Sequence, residues 1–214
     1  MGKLKVFNEL WREYDLWYEK NPIKTLNELK LVKSMVSKKP CLEVGVGTGF
    51  FASNVSCGFG VDPSIGMLRK ARERGVDVVQ GVGEFLPFRE SCFNTVLIVV
   101  TVCFMKDPLK GLVEAHRVLR MGGEVIACIV PKDSSWGKLY EEEKRRGHPF
   151  YKYATFYTIK EITFMMRKAG FEVKELKGVL GFKPDEEPFE EEPSSNILGK
   201  GFICIKGVKI VPNH

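Results

Sequence analysis

Glutamine occurs once, at Gln80, and histidine three times, at His116, His148 and His214. So few histidines leave little from which to build a zinc site, and none of the six cysteines forms a C-x-x-C pair, so no metal is expected. The cysteines (Cys41, Cys57, Cys92, Cys103, Cys128 and Cys204) mostly sit in apolar runs, where the residue behaves as a small hydrophobe. Six reduced thiols are the expectation. No apolar run approaches the ~18 residues of a membrane span, and the opening MGKLKVFNEL has no apolar signal core. The chain therefore reads as cytoplasmic. A basic block is missing too. The net charge is +6, but lysine and glutamate are mixed along most of the chain, which argues against nucleic acid as a partner. Scarce glutamine beside abundant lysine and glutamate fits a heat-adapted source.

What is present suits an α/β protein. The 214 residues match one domain of ordinary size, and 44% hydrophobic residues suffice for a core. Residues 1–36 read as a helical cap broken at Asn21-Pro22, with Leu4, Phe7, Leu10, Trp11, Tyr14 and Trp17 at helical spacing. From 38 to 131, short apolar strands alternate with helices: CLEVG, GFGVD, VDVVQG, FNTVLIVVTV and EVIACIVP are the strands. DPLKGLVEAHRVLRMGG is read as one helix over 107–123. Alternation of this kind predicts a Rossmann-like, doubly wound, mostly parallel sheet. Residues 132–157 are charged and aromatic and read as a lid inserted after the fifth strand. Residues 158–212 return a helix and two strands, which makes seven, with the last antiparallel. The acidic, proline-rich stretch PDEEPFEEEPSS between those strands reads as a mobile loop. A single domain is expected.

The turn CLEVGVGTGF places Gly45, Gly47 and Gly49 between a strand and a helix. Glycines there let the backbone fold sharply and a ligand approach closely. A tight turn with no ligand is the bland alternative. GTGFFA also satisfies the dinucleotide fingerprint G-x-G-x-x-A, which keeps a nicotinamide-dependent oxidoreductase open. Two acids weigh against it or are neutral. Glu43, two residues before the first glycine, suits a ligand with an amino group and would repel a pyrophosphate. Asp62, ending the second strand, can take two ribose hydroxyls in either ligand class.

The blocks LEVGVGTGFF, GVDPSIGMLRKA, GVGEFLPF and EAHRVLRMGG stand in the order and approximate spacing of class I S-adenosylmethionine-dependent methyltransferases. The chain resembles most the small-molecule branch that includes the quinone-biosynthesis C-methyltransferases. The resemblance implies S-adenosylmethionine as cofactor. Glu43 and the turn of Gly45, Val46, Gly47 and Gly49 would hold its methionine end, and Asp62 its ribose. Pro63, Ile65 and Met67 would line the adenine side, with Gly83 and Glu84 beside it and Thr101 near the methyl. Family members often carry Gly-Asp-Ala-Glu where this chain has Gly81-Val82-Gly83-Glu84, so the side-chain contact to the adenine amino group is lost at Val82. Asn94 stands where Asp is usual.

Methyl transfer to a small-molecule acceptor, by in-line displacement through proximity and desolvation, is the implied activity. The acceptor is expected near Thr101, Val102 and Phe104, with Tyr14, Tyr18, Trp136, Tyr151 and Tyr153 enclosing it. His148, in RGHPFYKY, is a candidate base. The Asn-Pro-Pro-Tyr motif used on planar nitrogens and the Pro-Cys pair used on cytosine are both absent after the fourth strand, where TVCFMKDP stands. A non-catalytic module of the same fold is the second reading.

Overall fold

The computed structural model describes residues 2–210. Five strands, β1 (Cys41–Val44), β2 (Phe59–Asp62), β3 (Asp77–Gln80), β4 (Phe93–Val99) and β5 (Leu119–Ile129), lie parallel. Two more, β6 (Phe171–Val179) and β7 (Phe202–Lys209), complete a sheet of order β3-β2-β1-β4-β5-β7-β6. Only β7 runs against its neighbours, as expected for the last strand. The order reverses between β1 and β4, which creates a crevice at the carboxyl ends of those strands.

Helices cover both faces. On one face α3 (Pro22–Met35), α4 (Phe50–Asn54) and α5 (Ile65–Glu73) bury Leu31, Met35, Phe51 and Leu68. On the other, α6 (Pro108–Val118) and α8 (Ile159–Lys168) bury Leu112, Val118, Ile162 and Met166. β4 is apolar from Val96 to Val99, where both its faces are covered. The helix starts follow local chemistry. Pro22 and Pro108 occupy first turns, where the missing N–H costs nothing. Asp107 accepts from the Lys110 N–H at 3.0 Å, and Thr158 with Glu161 forms a capping box.

Several expectations are corrected. The cap holds three helices, α1 (Lys3–Glu9), α2 (Trp11–Lys20) and α3, with a further break at Leu10. The α6 helix stops at Val118, not at 123, because Leu119 pairs with Phe93 and the chain enters β5 through an irregular register at Gly122-Gly123. β4 ends at Val99, where Val100 turns to positive φ and a short 3-10 turn follows over Val102–Phe104. The acidic loop is tied down: Lys30 pairs with Glu190 and Glu192, Asn27 bonds Phe189 and Glu191, and Lys200 pairs with Glu191. Residues 132–157 form α7 (Ser135–Arg145) and a 3-10 turn at Tyr151–Tyr153. Positions 211 and 212 of the expected last segment lie outside the described residues.

The expectation of six reduced thiols also fails. Cys41 is bonded to Cys57 and Cys128 to Cys204, while Cys92 and Cys103 are free. Cys128 and Cys204 face each other across the β5–β7 ladder, 3.9 Å apart at Cα, a juxtaposition that sequence spacing does not reveal. No helix among the described residues is long and apolar enough to cross a membrane.

Candidate active site

The crevice at the switch between β1 and β4 opens into a cavity of about 780 Å³, within the usual size of small-molecule sites. Its floor is the turn after β1. Gly45, Gly47 and Gly49 all have positive φ. A Cβ on Gly45 would come within 2.1 Å of the Thr101 side chain, so β1 can lie against the tip of β4 only because that position is glycine. At Gly47 the nearest atom to such a Cβ is Cε1 of Tyr14, at 3.9 Å, so the backbone there is open to a ligand.

Asp62, at the end of β2, orders this floor. Its carboxylate accepts the Gly47 N–H at 3.0 Å and the Ser64 N–H at 2.8 Å. Burial raises its pKa to about 6, against the pull of those two bonds. Glu43 lies beneath the floor and does not line the cavity. It is buried, and its Oε2 is the one buried side-chain polar atom among the described residues without a partner. Burial pushes its pKa well above the ordinary carboxyl value, opposed by a backbone hydrogen bond from Ala52. An orphaned acceptor next to a glycine turn is what a ligand's ammonium group would complete, so the residues fit the amino-acid end of S-adenosylmethionine.

The cap closes the cavity. Leu4 and Phe7 of α1 and Tyr14 of α2 line it, and Phe7 packs edge-on to Phe104 at 5.2 Å. Burial lifts the Tyr14 hydroxyl to a pKa of about 12, so it stays protonated at neutral pH. Polar contacts lock the cap down. Asn8 Oδ1 accepts from Ser64 Oγ and from the Gly66 N–H. Asp15 takes both terminal nitrogens of Arg74 and the Thr48 hydroxyl, while Arg74 also donates to the Thr48 carbonyl. Burial works against the Asp15 carboxylate, but these bonds and the Arg74 charge hold its pKa below the ordinary value.

Of the residues singled out for the cofactor, Gly45, Gly47, Asp62, Pro63, Met67, Gly83, Glu84 and Thr101 line the cavity. Val46 turns into the core against Gly60, and Gly49 abuts Ala71 of α5. Glu84 is occupied by the N–H groups of Lys106 and Asp107. Of those singled out for the acceptor, Tyr14 and Phe104 line the cavity, and the rest lie elsewhere. Tyr18 stacks on Phe50 at 3.9 Å. Trp136 is buried and donates its indole N–H to the Phe182 carbonyl. Tyr151 stacks on Tyr140, and Tyr153 lies under the Lys152 ammonium. The insertion buries its aromatics mostly against itself and the sheet, so it does not wall the cavity. His148 is likewise displaced. Its Nδ1 accepts from the Phe150 and Tyr151 N–H groups, its ring stacks on Tyr151, and burial lowers its pKa. It does not line the cavity.

Sequence reading missed Lys3, Phe85, Met105, Lys106 and Lys110, which also line the site. The helical spacing of Leu4, Phe7 and Tyr14 was a usable signal for the cap face. Nothing in sequence marked Lys3, since one lysine among 33 basic residues carries no pattern.

Comparison with known proteins identifies the family. A family profile described as a methyltransferase domain matches residues 42–127. An uncharacterized protein of Methanocaldococcus jannaschii is 36% identical over 97% of this chain and its own full length. A Mycobacterium demethylmenaquinone methyltransferase is 27% identical over 67% of each chain. The crystal structure of a SAM-dependent methyltransferase from Thermotoga maritima, described as a possible histamine N-methyltransferase, superposes with a TM-score of 0.90 at 37% identity, covering 97% of this chain and 100% of that one. The chain belongs to the class I S-adenosylmethionine-dependent methyltransferases. It is an enzyme, and its cofactor is S-adenosylmethionine, which removes the nicotinamide alternative.

Proposed function

We propose that this enzyme methylates a small-molecule acceptor by in-line displacement, acting through alignment and exclusion of water. The observation that carries the reading is the cavity itself: a glycine-floored crevice roofed by Leu4, Phe7, Tyr14 and Phe104 and closed by the cap. Such a space suits a compact acceptor better than a polymer. Glu43 and the Gly45–Gly49 turn would bind the methionine end, Asp62 the ribose, and Pro63, Met67 and Gly83 the adenine. When bound, the sulfonium supplies an already activated methyl group. The protein's own work is then to hold the acceptor against Phe7 and Phe104 and to keep water out, an effect worth up to roughly 7–11 kcal/mol in model systems. A side-chain base is needed only for an acceptor that must lose a proton before it attacks.

The reading extends to one domain and to cytoplasmic residence. Disulfides are compatible with the latter, since heat-adapted intracellular proteins carry them. The test is incubation of the enzyme with a desalted cell extract, its recovered small-molecule fraction and methyl-labelled cofactor. Label in the small-molecule fraction supports the reading. Label confined to protein or nucleic acid overturns it.

A further inference from the structure

The acceptor end of the cavity is an aromatic wall with one charge in it. Phe7 meets Phe104 at 5.2 Å, and both line the cavity; Phe150, outside the lining, packs on Phe7 at 5.3 Å and on Tyr14 at 5.6 Å. The first turn of α1 brings Lys3 to this wall. Lys3 lines the cavity, and its Nζ donates to the backbone carbonyl of Phe104, three residues beyond Thr101 at the tip of β4. A carbonyl is neutral, so the ammonium charge stays uncompensated, and Lys3 enters no ion pair among the described residues. An ammonium set beside apolar rings, with only a neutral carbonyl as partner, favours an anionic partner.

The carboxylates that line the cavity each accept backbone N–H groups. Asp62 is taken by the Gly47 and Ser64 N–H groups, Glu84 by those of Lys106 and Asp107, and Asp107 by that of Lys110. The two other lysines that line the cavity, Lys106 and Lys110, stand beside Glu84 and Asp107, and the Lys110 ammonium lies 3.3 Å above the Phe85 ring. Lys3 and the ring faces of Phe7 and Phe104 therefore meet at one end of the lining, while its carboxylates are Asp62 on the turn and Glu84 and Asp107 beside Lys106 and Lys110.

We propose that Lys3 selects the acceptor, and that the acceptor is a small aromatic acid. Its ring packs on Phe7 and Phe104 and its carboxylate bonds Lys3 Nζ. An amine acceptor meets repulsion at the same place, so specificity differs from a histamine methyltransferase. This inference rests on the methyl-transfer reading above.

The test is calorimetry on the full chain saturated with S-adenosylhomocysteine. The probes are 4-hydroxybenzoate, its uncharged amide 4-hydroxybenzamide, tyramine and histamine. A charge-assisted bond predicts that the acid binds the wild type about 10- to 100-fold tighter than the amide. Lys3→Gln should bring acid and amide together, Lys3→Arg should keep most of the preference, and Lys3→Glu should turn it toward tyramine. Equal binding of acid and amide by the wild type, an unchanged preference in Lys3→Gln, no binding of the acid, or tighter binding of histamine would each overturn the proposal. Each variant must bind S-adenosylhomocysteine as the wild type does. Failure of the wild type to bind it would sink the methyl-transfer reading instead.

Discussion

Replacing Glu43 by Gln tests the floor of the site most directly. In the free protein this carboxyl is buried, accepts one backbone N–H and leaves Oε2 unpartnered, and burial raises its pKa well above the ordinary value. An ammonium brought to that oxygen favours the ionised form. Cofactor binding should therefore expel protons, up to about one from Glu43. Asp62, with a pKa of about 6, is already some nine-tenths ionised at pH 7 and adds only about a tenth of a proton. Glu43→Gln should bind S-adenosylmethionine more weakly by ~1.5–3 kcal/mol, roughly 10- to 150-fold, and lose most of the proton release. The stability of the free protein shows the sign independently. A carboxyl whose folded pKa is raised contributes stability that is fully present below its unfolded pKa and is lost as pH rises through the folded one. Gln does not titrate, so the variant should match the wild type in acid and exceed it in alkali. The assay is titration calorimetry in buffers of different ionisation enthalpy, with thermal melts across pH. A binding enthalpy independent of buffer, or a variant that binds as tightly as the wild type, would refute the reasoning.

Three further outcomes are expected. Asp62→Ala should weaken cofactor binding by ~1.5–3 kcal/mol for each lost charge-assisted bond. It should also lower the melting temperature of the free protein, since the Gly47 and Ser64 N–H groups lose their acceptor; calorimetry and melts on the same sample separate the two effects. Trp136→Ala should cost ~3–5 kcal/mol of stability by denaturant unfolding, with acceptor KM unchanged, because the indole fills the core beside Gly201 and not the cavity. Thiol titration in denaturant without reductant should count only Cys92 and Cys103. All six reacting would remove both disulfides.

The glycine-turn half of the candidate site was legible because its pieces are local. A glycine turn, the acid two residues before it and the acid ending the next strand lie close in sequence, and the parallel register of β1 and β2 keeps them close in space. The half beneath the cap was not, because it is assembled from distant pieces. Lys3, Phe7, Phe104 and Phe150 meet only through the packing of the cap on the crevice, and aromatic content alone pointed to the insertion instead. Trp136 and Tyr151 show why: the aromatic residues that roof a cavity and those that fill a satellite core are chemically the same. The disulfides were hidden for a related reason, since Cys128 and Cys204 meet through strand register and not through a motif. The end of α6 was misplaced because Leu119, Arg120 and Met121 continue a helical pattern that pairing with β4 overrides.

The docked cap has a consequence for biosynthesis. Its helix α1 leaves the ribosome before the surfaces it rests on: Ser64 and Gly66 follow it first, then Phe104, and Phe150 last. At roughly 5–20 residues per second, Phe150 follows Phe7 by some 7–29 seconds. Throughout that interval the apolar face of Leu4, Phe7 and Tyr14 has no permanent seat, and the nascent crevice stands uncovered. The crevice thus acquires its cover only after Phe150 has been made, so a segment translated before the rest of the site is the last part of it to be seated.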